Sequence, residues 1–122
     1  MRSLTILYVE DYKLLLLYVK EMLEAQGWRV ETCLDGTSAL GKIESAIRYD
    51  LLLLDRSLPD MDGLELVRRA RSLTHRRRTP IIMLSAGDSA RAALKAGADL
   101  ILKKPEDVDA VIETIIRLMG VR

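Results

Sequence analysis

Residues 51–55 read Leu-Leu-Leu-Leu-Asp, a fully apolar run that stops at a carboxylate. A similar run at residues 4–9 stops at the acidic pair Glu10-Asp11. Short apolar runs of this kind are typical of buried strands in a parallel sheet. Ligands bind to such a sheet at the carboxyl ends of its strands, beside a reversal in strand order. If these two strands are neighbours, three carboxylates converge on one spot, and such a group suits a hard divalent cation such as Mg²⁺.

Two later apolar runs end in side chains that complement these acids. The run at residues 80–84 leads to the hydroxyl of Ser85, and the run at residues 100–102 leads to Lys103-Lys104-Pro105. A carboxylate nucleophile, a metal ion, a hydroxyl and an ammonium group are the components of phosphoryl transfer, because that reaction depends on positioning and charge neutralisation. The four strand ends therefore indicate a phosphoryl-transfer site.

Five motifs lie in order along the chain, each at a predicted strand end or turn: Val9-Glu10-Asp11, Leu54-Asp55 with Pro59-Asp60-Met61-Asp62-Gly63, Leu84-Ser85-Ala86, Ala96-Gly97-Ala98-Asp99 and Lys104-Pro105. Through them the chain resembles the receiver domain of bacterial two-component response regulators, in the CheY-like superfamily. The resemblance covers all 122 residues. Any one motif is weak evidence, whereas five in the family's order are strong.

The resemblance implies the chemistry of the acidic group. Asp55 is the expected phosphoacceptor, which takes a phosphoryl group from the phosphohistidine of a sensor histidine kinase or phosphotransfer protein, or from a small phosphodonor. Glu10, Asp11, Asp55 and the backbone carbonyl of Ser57 are the expected ligands of Mg²⁺, and Mn²⁺ is expected to substitute. Such a domain is a signalling module that catalyses only its own phosphorylation and dephosphorylation.

The resemblance also implies how the modification is detected. Ser85 is the expected switch hydroxyl, and Lys104 is the expected phosphate-binding lysine because it directly precedes Pro105. The Lys104–Pro105 peptide bond is expected to be cis. The surface near the fourth helix is then expected to change shape and to act on a downstream effector domain or protein.

The alternation of segments predicts one α/β domain over residues 1–122. Five strand runs alternate with helical segments, a pattern that gives parallel strands joined by right-handed crossovers. The expected fold is a single doubly wound, five-stranded parallel sheet of order 2-1-3-4-5, the flavodoxin-like (βα)5 arrangement. Helices are expected at about residues 12–26, after Asp35-Gly36 with Thr37 or Ser38 as the N-cap, from about Gly63, at residues 89–96 and at residues 107–119.

Composition sets the remaining expectations. The net charge of +1 argues against a strongly charged polyanion or membrane surface as partner, and no apolar run approaches the ~20 residues that span a bilayer. The single cysteine, Cys33, excludes an internal disulfide and is expected to be a small core residue. The N-terminus lacks the pattern of a signal peptide, which favours a cytoplasmic location.

Each candidate residue has a simpler structural interpretation when taken alone. Asp11 could cap the first helix, Ser85 could be a turn residue, and Lys104 could be a solvated lysine. His75, the single histidine, is expected to be solvated. Six arginines are expected to form a solvated basic cluster, which suits the negative pole of the third helix: Arg68, Arg69, Arg71, Arg76, Arg77 and Arg78. Nucleic-acid binding is not expected, since no aromatic residues lie between them.

Three features depart from the family pattern. Ile101 occupies the altered switch position, three residues before the lysine, where receivers usually carry Tyr or Phe. Ser85 and Lys104 lie 19 positions apart, about three fewer than usual, so the fourth helix is expected to lose nearly a turn. Arg56 directly follows Asp55, where apolar residues are common. Two hypotheses therefore stay open: a phosphorylatable receiver, or a pseudo-receiver that acts as a constitutive protein-interaction module without phosphate.

Overall fold

The computed structural model describes residues 3–121, in which five strands and five α-helices alternate. The strands are β1 (Thr5–Val9), β2 (Arg29–Cys33), β3 (Leu51–Asp55), β4 (Ile81–Ser85) and β5 (Leu100–Lys103). The helices are α1 (Lys13–Glu24), α2 (Gly36–Glu44), α3 (Gly63–Ser72), α4 (Ala90–Ala96) and α5 (Val111–Met119). All strand pairs are parallel, and the sheet order is β2-β1-β3-β4-β5. The predicted doubly wound fold is confirmed.

The four leucines of β3 explain why this strand occupies the centre of the sheet. Each of Leu51–Leu54 is fully buried, because helices cover both faces of a parallel sheet and side chains alternate between those faces. Leu51 and Leu53 belong to the core layer under α1 and α5, and Leu52 and Leu54 belong to the layer under α2, α3 and α4. A continuous apolar run is therefore what a two-sided strand requires.

Most helix bounds lie within two residues of those predicted from the sequence, but two details of the prediction were wrong. The N-cap of α2 is Asp35, whose side chain accepts a hydrogen bond from the Ser38 backbone N–H at 2.7 Å, rather than Thr37 or Ser38. Helix α5 was predicted to start at residue 107. Instead, Val108–Ala110 form a short 3₁₀ turn, and the α-helix begins only at Val111. Helix α4 has seven residues, as short as the spacing predicted.

The loop after β3 accepts hydrogen bonds from the first residues of α2 and α3. The Asp60 carboxylate accepts hydrogen bonds from the backbone N–H groups of Gly36 and Thr37 at 2.7 and 2.8 Å, and Asp62 caps α3 through the N–H of Leu64. A Cβ atom on Gly63 would overlap the backbone carbonyl oxygen of Asp55, so this position requires glycine. The loop therefore holds the residues beyond Asp55 close against the end of β3.

The prediction of a solvated arginine cluster was wrong for two of its six members. Arg76 is 2% exposed, donates to the carbonyls of Lys42, Ile43, Ser45 and Ile47 at the end of α2, and stacks on the ring of Tyr49. Arg71 donates to the carbonyls of Gly97, Arg76, Arg77 and Thr79 and to the Asp99 carboxylate. Sequence periodicity cannot reveal carbonyl groups that only tertiary structure brings to an arginine.

The remaining structural expectations concern Cys33, His75 and the membrane. Cys33 is buried at the end of β2 and is a free thiol. His75 is exposed and contacts the carbonyl of Ser45 at 2.8 Å. Within residues 3–121, no helix is long and apolar enough to cross a membrane.

Candidate functional site

The strand register brings the three acidic side chains together. Val9 of β1 is paired with Leu54 of β3, so that the next residues, Glu10 and Asp55, lie side by side at the carboxyl end of the sheet. Neighbouring strands lie ~4.8 Å apart. Carboxylate oxygens of Glu10, Asp11 and Asp55 lie within 4.8 Å of one another. Glu10 and Asp55 are buried, whereas Asp11 is exposed at the mouth of the group.

Lys104 supplies the positive charge of this group from the end of β5. Its ammonium lies 3.1 Å from Asp55 Oδ1 and 3.1 Å from Glu10 Oε1. The backbone N–H of Lys104 donates to the carbonyl of Ser85, and the Lys104–Pro105 peptide bond is cis, as predicted. Lys104 is therefore not a solvated lysine, and a single cation is shared by two buried carboxylates.

The charges of the group are only partly balanced. Burial, followed by the nearby Asp55 charge, raises the pKa of Glu10 to about 7, although Lys104 opposes this shift. Burial likewise raises the pKa of Asp55 above its ordinary value against the opposing effect of Lys104. Burial lowers the pKa of Lys104, but the two acids more than offset this and raise it overall. Two carboxylates and one ammonium thus share a site from which water is largely excluded.

One oxygen of Asp55 has no hydrogen-bond partner. Asp55 Oδ1 contacts Lys104 and accepts from the backbone N–H of Ser57 at 3.2 Å, but the buried Oδ2 has no partner among the described residues. Buried polar atoms are rarely left unpaired, and exceptions often mark functional groups. Among residues 3–121, the Tyr8 hydroxyl is the other buried side-chain atom without a hydrogen-bond partner. Burial, together with the charges of Glu10 and Asp55, raises the pKa of Tyr8, so that its hydroxyl stays protonated.

The residues present fit a divalent cation. Three carboxylates offer oxygens within one small volume, and Asp55 Oδ2 has an unfilled bonding capacity that a cation would satisfy. Hard cations such as Mg²⁺ prefer oxygen ligands of this kind, usually one or two carboxylates together with water and phosphate oxygens. The exposed position of Asp11 leaves room for those further ligands.

The interpretation of Asp11 as a helix cap is excluded by the geometry. The N-cap of α1 is Tyr12, and it has no side-chain cap. Its backbone N–H donates to Glu10 Oε2 at 3.2 Å instead. Asp11 is therefore left available to the acidic group.

The predicted switch hydroxyl has a partner that the sequence did not suggest. Ser85 is 3% exposed, and its hydroxyl lies 2.9 Å from that of Ser89, the residue before α4. Ser89 in turn accepts a hydrogen bond from Arg56 Nη1 at 2.6 Å. Arg56 stood out in the sequence as a charged residue directly after Asp55, but nothing in the sequence connected it to Ser89.

Comparison with known proteins agrees with this geometry. The family model described as "Response regulator receiver domain" matches residues 6–116. The transcriptional regulatory protein TrcR of Mycobacterium tuberculosis is 38% identical over 118 residues, which cover 94% of this chain and 44% of that protein. The chain therefore belongs to the response regulator receiver domain family. It spans about half of the length of curated relatives that it matches.

Solved structures show the same fold. A CheY-like receiver domain protein of Methanospirillum hungatei is 33% identical with a TM-score of 0.88, covering 98% of this chain and 95% of its own. The receiver domain of the sensor histidine kinase PA1611 of Pseudomonas aeruginosa is 34% identical with a TM-score of 0.87, covering 98% and 99%. The latter structure has a magnesium ion coordinated in its active-site cleft. Receiver domains bind Mg²⁺ in this acidic site, and they are signalling domains that interact with histidine kinases and effector domains.

Proposed function

We propose that residues 1–122 form a phosphoacceptor receiver domain in which Asp55 takes a phosphoryl group from a phosphohistidine. The donor is a sensor histidine kinase or a phosphotransfer protein in the cytoplasm, where the family works. The observation that carries this proposal is the buried Asp55 carboxylate, with one oxygen bound by Lys104 and Ser57 and the other unpaired. A buried carboxylate whose bonding capacity is unfilled can bind a cation through one oxygen and an incoming phosphorus atom through the other.

The residues of the group have separate tasks in the transfer. One oxygen of Asp55 bonds to phosphorus while the bond between phosphorus and the donor imidazole nitrogen breaks, so that the imidazole leaves with the electron pair. Lys104 holds the Asp55 carboxylate through Oδ1 and provides a compact positive charge for the phosphoryl oxygens. Burial excludes water, which would compete for the phosphoryl group.

Glu10, Asp11, Asp55 and the backbone carbonyl of Ser57 are the residues that would hold Mg²⁺, with Mn²⁺ as a substitute. When bound, the cation neutralises the carboxylates and the charge of the phosphoryl oxygens. The support for this ligand set is the spacing of the three carboxylates and the unpaired Asp55 Oδ2. The raised pKa of Glu10 belongs to the metal-free group, in which no further positive charge balances the acids.

Ser85 then donates a hydrogen bond to the phosphoryl group, and the region near α4 responds. Ile101 occupies the position where an aromatic ring would move, and it packs against the core under α2, α3 and α4. A β-branched side chain on a strand prefers one χ1 rotamer. We therefore assign the response to the segment from Ser85 to α4 rather than to a rotamer change at Ile101.

The test is phosphoryl uptake measured by intact mass. With Mg²⁺ and acetyl phosphate, the wild-type protein should gain one phosphoryl group, about 80 Da, and Asp55→Asn should gain none. Asp35→Asn is the matched control, because asparagine caps a helix about as well as aspartate and Asp35 only caps α2. Equal uptake by the wild type and Asp55→Asn would contradict the assignment of the nucleophile.

The alternative is a pseudo-receiver that acts as a constitutive interaction module. Two observations favour it, namely Ile101 at the usual aromatic position and the seven-residue α4, both near the face through which receivers commonly signal. The same experiment separates the two functions, since a pseudo-receiver gains no mass from the donor even with Mg²⁺ present.

A further inference from the structure

Ser89 occupies the N-cap position of α4 but does not cap that helix. Serine is among the preferred N-cap residues because its hydroxyl accepts from a backbone N–H of the first turn. Here the Ser89 hydroxyl instead lies 2.9 Å from the Ser85 hydroxyl and 2.6 Å from Arg56 Nη1. Ser89 is 5% exposed. Its hydroxyl therefore joins Arg56 to the predicted switch residue inside the protein.

The chemistry of the three groups favours one direction for these hydrogen bonds. A guanidinium can only donate, so Arg56 fills one lone pair of Ser89. Ser89 can then donate its own proton to Ser85, which also accepts from the backbone N–H of Gly87 at 3.3 Å. With its lone pairs occupied in this way, Ser85 retains its proton for an acceptor at the neighbouring strand end. A phosphoryl oxygen on Asp55 is such an acceptor.

The other contact of Arg56 is weak by comparison. Its Nε and Nη2 atoms lie 3.3 and 3.4 Å from the Asp62 carboxylate, whose side chain is half exposed. Exposed ion pairs of this kind contribute little to stability. The 2.6 Å bond to a buried hydroxyl is charge-assisted and short, and such bonds are the strong ones. Asp62 therefore steadies the guanidinium, while Ser89 is its main partner.

We infer that Arg56 and Ser89 are positioning residues of the phosphorylated state. Through Ser89, Arg56 orients the Ser85 hydroxyl so that it donates to the phosphoryl group, and the same bonds attach Ser89, the residue directly before α4, to that group. The chain thus links its phosphorylation site to α4 by a hydrogen-bond relay rather than by the aromatic ring that Ile101 replaces. This inference rests on the proposed function of Asp55.

The test uses beryllofluoride, a phosphate mimic, with Arg56→Met, Ser89→Ala and the wild type. Both variants should still gain about 80 Da from acetyl phosphate, because neither residue contacts the nucleophile's free oxygen. Their affinity for beryllofluoride should fall about 3- to 10-fold, the effect of one lost hydrogen bond. Hydrogen exchange at residues 86–96 should slow on beryllofluoride binding in the wild type, and at most half as much in the two variants.

Four further variants distinguish the relay from general damage. Ser85→Ala should lose both affinity and protection, while Arg56→Lys keeps a cationic donor and should recover more than half of the protection. Asp62→Asn keeps the α3 cap but removes the ion pair, and Arg68→Met removes an arginine from a comparable exposed ion pair with Glu65. Both should stay within about twofold of the wild type, as expected for exposed pairs.

Three results would overturn the inference. In the first, Arg56→Met and Ser89→Ala match the wild type in affinity and protection. In the second, Asp62→Asn reproduces the loss seen for Arg56→Met, which would make the ion pair the active contact. In the third, both variants lose phosphoryl uptake itself. If the wild type gains no mass and binds no beryllofluoride, the proposed function fails, and the inference fails with it.

Discussion

Two regions of this molecule bury charge, and they differ in whether the bonding capacity of that charge is filled. Arg76 follows α3 in the chain and lies against the end of α2, where four carbonyl oxygens and a tyrosine ring surround its guanidinium. Asp55 and Glu10 share one ammonium at the opposite region of the fold, the carboxyl end of the sheet, and one Asp55 oxygen has no partner. We infer that the satisfied charge stabilises the fold, whereas the unsatisfied one belongs to the proposed metal and phosphoryl site.

The largest expected effect lies at the satisfied charge. Arg76→Met leaves several carbonyls at the end of α2 without donors, so it should lower the free energy of unfolding by about 3 kcal/mol. Urea denaturation measures this loss. The folded fraction should still take up phosphoryl groups, because the acidic group is untouched. If Arg76→Met and the wild type unfold at the same urea concentration, Arg76 does not stabilise the fold. The contrast between the two buried charges then fails.

A smaller loss is expected at Lys104, and it should depend on pH. Lys104→Met removes the shared cation, so at pH 8 the two acids repel and stability should fall by about 1–2 kcal/mol. At pH 5 the loss should be smaller, because one carboxyl can take up a proton and relieve the repulsion. Urea denaturation at both values tests this, and equal losses would indicate that Lys104 acts by packing alone.

A still smaller change in stability is expected when the pH of the metal-free wild type is varied. The folded pKa of Glu10 is raised to about 7, above its unfolded value, so the folded state binds this proton more tightly. Stability should therefore rise as pH falls from 8 to about 5. Hydrogen bonds from Thr37 and Gly36 lower the pKa of Asp60 to about 2, so its contribution should be lost only at more acidic pH. Thermal melting in the presence of a chelator tests the sign. A melting temperature that falls steadily from pH 8 to 5 would contradict it.

The smallest effect is expected where a charge is exposed. Arg68 pairs with Glu65 at 3.4 Å on the surface of α3. Arg68→Met should change the free energy of unfolding by less than ~0.5 kcal/mol, since exposed pairs are screened by water. Urea denaturation beside Arg76→Met provides the comparison. A loss as large as that of Arg76→Met would mean that burial does not decide which arginines matter.

The sequence predicts the acidic group well because strand ends are local features. The apolar runs place Asp55, Glu10 and Lys104 at the ends of strands, and the sheet order then brings them together. The roles of Arg76 and Ser89 could not be predicted, because the carbonyls that Arg76 binds lie 29–34 positions away and Arg56 lies 33 positions from Ser89 along the chain, so that only the fold brings these groups near. The α2 cap was misplaced because Asp35, Thr37 and Ser38 all have side chains that can cap, and only the backbone geometry selects among them.

The most direct test of the central claim is a comparison of the wild type and Asp55→Asn, each unfolded in urea with chelator and again with millimolar Mg²⁺. Without metal, Asp55→Asn should be the more stable protein, because it removes a buried charge whose pKa is raised by burial. With Mg²⁺, the wild type should gain stability by mass action and the variant should gain much less, so that the order reverses. If Mg²⁺ leaves both proteins unchanged, or stabilises them equally, the unpaired Asp55 oxygen does not mark a metal and phosphoryl site.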